Sequence, residues 1–405
     1  RAVDEADAKA AIAVAERMLA GEATITHAEK SWAFGPDDIA TWLAFKRSDV
    51  PSDADPAEFE STAATQPAQV GLVAYIAPEA LRERVLPKLG TGIGRPAKDA
   101  RFTTADGRVT IVPSQDGVGP DVGSLSGDLT SDLADSGSDR TVVLHTTVMQ
   151  PELTTAKARA MGIDARTSRY TTTYTASNRP RVNNIHLLGD SLDGTLIPPG
   201  GTFSFNGTVG ERTADKGYQE ANAIVNGKLV PQLGGGICQV GTTVFNAVFE
   251  SGLPVLERHN HSFYIDHYPK GRDATVSWGG PDLKFKNDTA HWILVSVSYT
   301  DSSITVALYG TDPGYEVSSK TSAWSNERPF PTEEIKDPLL VAGTRVVEDG
   351  GITGRRCTVT REVTKDGTVV RTDEFVSVYR PKIEVVRVGT KPKPGSKPAT
   401  STAKP

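Results

Sequence analysis

The sequence predicts a multidomain α+β fold: an N-terminal α+β module, a β-rich middle domain and a small all-β C-terminal extension. Three observations predict it. At 405 residues the chain exceeds what one ordinary core holds. Helical spacing and strand-like runs alternate over residues 1–155, whereas strand-like, glycine-punctuated sequence dominates from 165 onward. With 38 Gly, 26 Pro and an apolar fraction of 38%, many turns and at least one segment outside any core are expected.

The elements follow in order. Residues 8–19 form a helix by Ala-rich apolar spacing, and 23–26 a short β-like run. Pro36, after Gly35, suits the first position of a helix over 37–45. Residues 70–76 alternate too little for a surface strand and read as buried; 78–89 read as a second amphipathic helix. A hairpin comes next, 100–104 and 109–112 about a turn at Asp106-Gly107. A helix over 125–133 and a closing strand over 141–146 complete a first domain spanning 1–155. It carries no cluster of His, Cys and carboxylates at a useful spacing, so it reads as a scaffold or binding module.

The second domain, 165–312, opens with a strand at 170–176, a helix at 182–192 and a turn at Ile197-Pro198-Pro199-Gly200. From 313 to 390 the chain is polar and β-like, with a hairpin of 357–363 and 368–375 about Asp366-Gly367. Residues 391–405, KPKPGSKPATSTAKP, contain no large apolar anchor and read as a disordered tail.

A net charge of −6 without a basic stripe excludes nucleic acid as the main partner. No apolar run approaches the roughly 18 residues of a membrane-spanning helix. The sequence starts at Arg1, and a membrane anchor upstream of residue 1 is one expectation. Two cysteines, Cys238 and Cys357, exclude a disulfide-rich scaffold and any zinc site of three or four cysteines, and leave a single bridge open.

The chemistry concentrates in 234–273. In Leu233-Gly234-Gly235-Gly236-Ile237-Cys238-Gln239-Val240, three glycines permit backbone conformations closed to other residues and let a ligand approach the main chain. Ile237, Val244, Phe245, Val248 and Phe249 then fit one helix face, which puts Cys238 at or just inside a helix N-terminus. Free N–H groups and the helix dipole there favour a thiolate and can hold an oxyanion. The same spacing fits a small buried cysteine that packs a helix start.

Glu257-Arg258-His259-Asn260-His261-Ser262 supplies imidazoles that can serve a cysteine as base, with Asp266 or Asp273 to orient one. Two residues apart, His259 and His261 face one side if the segment is a strand, and a zinc-dependent amidase or peptidase would use both. No HExxH-type helix supports that alternative, and no metal is expected. For His259, local hydrogen bonding at a strand edge is the plainer reading. Arg258 and Arg272 can pair with a substrate carboxylate, or with Glu257 or Asp282.

These residues carry a resemblance. Gly201-Thr202-Phe203-Ser204-Phe205-Asn206, Val209-Gly210-Glu211-Arg212-Thr213, Gly217-Tyr218, the Gly234–Val240 run, the Glu257–Ser262 block and Gly271-Arg272-Asp273-Ala274-Thr275-Val276 resemble the VanW family over roughly 165–300. The first 155 residues look like the peptidoglycan-binding domain that often precedes VanW domains. The C-terminal block is similar to the G-five-type extensions of wall proteins.

The resemblance implies an extracytoplasmic protein, in the cell wall or anchored on the outer face of the cytoplasmic membrane, with peptidoglycan stem peptides as partner. In some relatives the gene lies beside glycopeptide-resistance genes. It further implies a cysteine L,D-transpeptidase without a cofactor: Cys238 the nucleophile, His261 the base, Asp273 its orienter. Gly234, Gly235, Gly236, Gln239, Arg258, His259 and Arg272 would then face the substrate. Gly241 departs from the pattern, standing where relatives commonly carry serine. A non-catalytic wall-binding or glycopeptide-resistance accessory module is the rival reading.

Overall fold

The computed structural model describes residues 5–48, 71–90, 92–225 and 228–392. They form two compact units, one from 1–101 and 112–157, the other from 102–111 and 158–405. The expected α+β multidomain architecture is what the chain adopts. No helix among the described residues is long and apolar enough to cross a membrane.

In the first unit, Ala23–His27 pairs antiparallel with Lys30–Phe34 and parallel with Thr141–Val143. The helices Glu5–Met18 and Val122–Ala134 cover a core of Met18, Ile25, Ile39, Trp42, Ile76, Leu81, Leu125 and Leu129. The helix expected over 37–45 stops at Ala40. Thr41 turns its hydroxyl back onto the Asp38 carbonyl, Trp42 drops into the core edge-on to Phe34, and Leu43–Arg47 becomes a strand against Leu72–Ile76. That second strand is only half-buried, not the fully covered one its composition predicts. The helical run over 78–89 is held, with a π-turn at Leu81–Val85. The expected closing strand divides into Thr141–Val143 and Thr146–Met149, the latter pairing with Gly117–Pro120.

The second unit is built on a six-stranded sheet in the spatial order Thr195–Ile197, Ile293–Thr300, Ser303–Gly310, Ala165–Thr173, Arg108–Val112, Arg101–Ala105. Its last two strands are the hairpin at Asp106-Gly107, whose positive φ values of 51° and 77° explain the turn. The Ile237–Ser251 helix packs on the inner strands, with Ser168 Oγ donating to the Ala247 carbonyl at 2.8 Å. Val240, Val244, Phe245, Val248 and Phe249 are all fully buried, each contributing roughly 1.5–3 kcal/mol. Apolar residues on several sides of this helix enter one core with Ile185, Leu188, Val295, Val306 and Leu308.

The C-terminal block joins the same unit. Gly354–Lys365 and Thr368–Tyr379 form the expected hairpin, with Asp366 and Gly367 at φ 49° and 74°. Alternation puts Cys357, Val359, Arg361 and Val363 on its buried face. Arg361 is completely buried and donates to the carbonyls of Val248 (3.3 Å), Phe249 (3.0 Å) and Leu253 (2.9 Å) while pairing with Asp373 at 2.6 Å. A cation thus caps the C-terminal carbonyls of the central helix, where the dipole favours it. A second sheet, Thr332–Val341, Glu384–Lys391 and Arg345–Asp349, follows. Its middle strand takes in Lys391, the first residue of the expected tail; 393–405 lie outside the described residues.

Arg361→Ala removes one partner of a buried pair and leaves two helix carbonyls, Val248 and Phe249, and the Leu253 carbonyl just beyond the helix facing an unfilled space. It is expected to destabilise the second unit by about 3–5 kcal/mol, read as a lower urea midpoint. A midpoint unchanged from the native chain would refute the capping role.

Candidate active site

The glycine turn sets the site. Gly234 and Gly236 adopt φ values of 81° and 112°, and a Cβ on Gly235 would stand 2.4 Å from the Ala221 carbonyl oxygen. Only glycine satisfies all three positions. Asn184, from the Arg179–Leu192 helix, donates to the carbonyls of Gly235 (3.0 Å) and Gln219 (2.8 Å) and so pins the turn. Gly236 caps the central helix and Cys238 is its second residue, as the spacing predicts. Among the described residues, none accepts from the backbone N–H of Ile237 or Cys238.

Cys238 is half-buried, with Thr275 Oγ1 at 3.3 Å and the Val276 carbonyl at 3.5 Å from its sulfur. His261 stands close enough to that sulfur for each to govern the other's ionisation. Its Nδ1 donates to Asp273 Oδ2 at 2.6 Å, and its backbone N–H donates to the same oxygen at 2.7 Å. With Nδ1 engaged, Nε2 is the nitrogen left for the thiol. Asp273 Oδ1 accepts from Tyr379 at 2.5 Å and from Arg258 Nη2 at 3.0 Å. His261 and Asp273 are 3% and 2% exposed, so this network is shielded from bulk water.

Burial pushes the Cys238 thiol up, but the neighbouring His261 and the Thr275 hydroxyl outweigh it and bring the pKa down to about 7. For His261, burial favours the neutral ring; Asp273 and Cys238 overcome it and raise the pKa to about 9. Burial also opposes ionisation of Asp273, yet His261 and Arg258 hold it lowered to about 2. Between pH 7 and 9 the site is therefore a thiolate–imidazolium pair on an ionised carboxylate.

Other expected residues fall elsewhere. Gln239 is buried, accepting from Arg181 at 2.5 Å and donating to the Thr173 carbonyl at 2.7 Å, so it fastens the helix start to the sheet. Arg258 is also buried and pairs with Asp273, not with Glu257 or Asp282. Arg272 bonds Asn246 and Glu250 and stacks on Phe249 at 3.9 Å. His259 is bonded locally to Glu257 at 3.3 Å and is half exposed, while His261 is sealed inside. The two imidazoles do not face one side, because the Val255–Glu257 strand ends before them. They form no shared ligand set, and no group of three or more potential metal-ligating side chains occurs among the described residues. Cys238 and Cys357 are both free.

Sequence reasoning missed Tyr379, Ser377, Thr275, Arg181 and Arg212 as site residues. Arg212 and Thr275 lie inside blocks quoted for the resemblance, and no spacing separates them from their neighbours. Ser377 and Tyr379 come from the C-terminal hairpin, 106 residues beyond Asp273 for Tyr379.

Comparison with known proteins divides the chain in the same order. Residues 58–142 match the family described as "Putative peptidoglycan binding domain", 180–309 that described as VanW like protein, and 319–391 the G5 domain. YoaR of Bacillus subtilis (strain 168), described as uncharacterized, is 45% identical over 143 residues, 35% of this chain and 47% of YoaR. Vancomycin B-type resistance protein VanW of Enterococcus faecalis (strain ATCC 700802 / V583) is 35% identical over 131 residues, 31% of this chain and 47% of that protein. The chain thus spans about half the length of these relatives. Among solved structures, an IgA1 protease G5 domain matches at 23% identity over 20% of this chain and 99% of its own, with a TM-score of 0.14.

The electrostatics make a direct prediction. Alkylation of Cys238 by iodoacetamide should titrate with a midpoint near pH 7, because the thiol is protonated below it while His261 stays charged up to about 9. Asp273→Asn removes the imidazolium's counter-charge. The midpoint should then rise toward the ordinary thiol value and the rate at pH 7 fall at least about tenfold. An unmoved midpoint would break the proposed coupling.

Proposed function

For a chain that carries a VanW-like domain between a peptidoglycan-binding-type domain and a G5 domain, we propose a role in the cell wall as a cysteine acyltransferase acting on peptidoglycan stem peptides. The observation that carries the chemistry is the Cys238–His261–Asp273 relay at a helix N-terminus. The domain matches support the cell-wall setting, and the resistance protein among the relatives is consistent with it. The protein would work outside the cytoplasmic membrane, where its polymer lies.

The reaction is an L,D-transpeptidation. The Cys238 thiolate attacks the carbonyl carbon of the donor stem's third residue, forming a C–S bond. The oxyanion is met by the N–H groups of Ile237 and Cys238, a contribution of about 10²–10³ in rate. His261 passes its proton to the departing D-alanine nitrogen as the C–N bond breaks, leaving a thioester. The amine of a neighbouring stem then attacks, gives its proton back to His261, and expels the thiolate as the new amide forms. Water in place of the amine yields the free tripeptide acid. No cofactor enters either half.

Mass spectrometry of products from disaccharide-tetrapeptide decides it. The native protein should give a stem dimer lacking one D-alanine, and Cys238→Ala should lower its formation by at least about 10³-fold. Loss of D-alanine without dimer would mean the same thioester resolved by water. No product, with the substrate shown to bind and the thiol reduced, would sink the catalytic reading in favour of a binding module.

A further inference from the structure

Arg212 is a buried cation with no carboxylate in direct contact. Its residue is only 9% exposed, yet no carboxylate among the described residues lies within ion-pair distance of it. Nη1 donates to Asn206 Oδ1 at 2.9 Å and to the Gly210 carbonyl at 2.8 Å. Nε and Nη2 meet no acceptor among the described residues, and neither is sealed from solvent. The nearby Asp282 is occupied, accepting from Ser204 Oγ at 2.6 Å and from the backbone N–H of Asn206 at 2.9 Å and Leu283 at 2.8 Å.

Its position is beside the nucleophile. A Cβ at Gly234, the first residue of the glycine turn, would stand 3.2 Å from Arg212 Cβ. The guanidinium carbon lies 5.9 Å from the ring of Trp278, which is 51% exposed and follows by two residues the Val276 whose carbonyl faces the Cys238 sulfur. Arg212 and Cys238 feel each other's charge. The two free guanidinium nitrogens are held in place by the buried remainder of the side chain yet open to solvent, and the fork geometry suits an incoming carboxylate. Arg258 and Arg272, the cations the sequence suggested for this task, are engaged inside the fold.

We propose that Arg212, with Trp278 as an apolar wall, is the receptor for the donor's terminal carboxylate, so that the enzyme takes a D-amino acid only from the free end of a stem. This deepens the acyl-transfer reading and rests on Cys238 as nucleophile. A chain-terminal carboxylate sits one residue beyond the scissile amide. Seating it on Arg212 sets the amide over the sulfur, while an amidated or extended stem lacks the anion.

The test separates the two ideas by using a reagent pair that requires no turnover. Iodoacetate and iodoacetamide alkylate the same thiolate and differ in carboxylate against carboxamide, so their rate ratio cancels any change in thiolate population. Modification is followed on the Cys238 peptide by mass. In Arg212→Gln, confirmed folded by thermal unfolding, the iodoacetate-to-iodoacetamide ratio should fall about tenfold, and Arg212→Lys should restore part of it. A ratio within twofold of native overturns the receptor, whether or not the protein turns over stems. Should Arg212→Gln fail to fold, the native protein decides. N-acetyl-D-alanine should slow iodoacetamide labelling of Cys238 while N-acetyl-D-alaninamide does not, and equal protection by the two overturns the proposal.

Discussion

The carboxylate of Asp273 holds the site together from both of its oxygens. Oδ2 takes the ring and backbone N–H groups of His261, which fixes the rotamer and tautomer of the imidazole. Oδ1 takes Arg258 and Tyr379, which keeps a buried carboxylate ionised although burial opposes it. A neutral Asp273 would leave His261 without its counter-charge, and the thiol would lose the imidazolium that lowers its pKa. The chain of dependence therefore runs from Arg258 through Asp273 and His261 to Cys238, alternating cation and anion in a region of low dielectric.

That chain is anchored outside the segment that contains it. Ser377 accepts from Arg258 at 2.9 Å, Tyr379 donates to Asp273, and the Arg380 N–H donates to the Ser262 carbonyl at 2.7 Å. Asn260 donates to the Val378 carbonyl at 3.0 Å. The strand Thr368–Tyr379 thus borders the residues around His261, while Arg361 on the paired strand closes the far end of the Cys238 helix. Both ends of the Cys238–His261–Asp273 geometry rest on the C-terminal hairpin, so in this chain that block supports the candidate site and is not an appendage.

The local parts of this arrangement were legible in the sequence. Three glycines before an apolar helical face put Cys238 at a helix start, while the segment that follows offers two imidazoles and two carboxylates, and only the family resemblance singles out His261 and Asp273 among them. Legibility ended where a residue's role is set by a distant partner. Arg258 looks like a substrate cation until the buried Asp273 is seen to need it, and Tyr379 sits in an unremarkable alternating strand. His259 and His261 share a strand face only if the strand continues; the chain leaves it after Glu257, and one imidazole goes out while the other goes in. The helix expected over 37–45 failed for a similar reason, because burial of Trp42 against Phe34 outweighs local propensity.

Charge balance around the sulfur bears on the proposed use of a carboxylate-bearing substrate. Arg258, Asp273, His261 and the Cys238 thiolate alternate in sign and sum to zero, so the buried network is self-contained. Arg212, with no carboxylate in ion-pair contact among the described residues, adds a positive charge beside the sulfur that Asp282 and Glu211 offset only from a distance, and the unpaired N–H groups of Ile237 and Cys238 add the positive end of a fifteen-residue helix. A neutral substrate would leave that excess uncompensated. A substrate that brings a carboxylate and develops an oxyanion at the scissile carbon compensates it twice, once on binding and again in the transition state, which is where a catalyst gains rate.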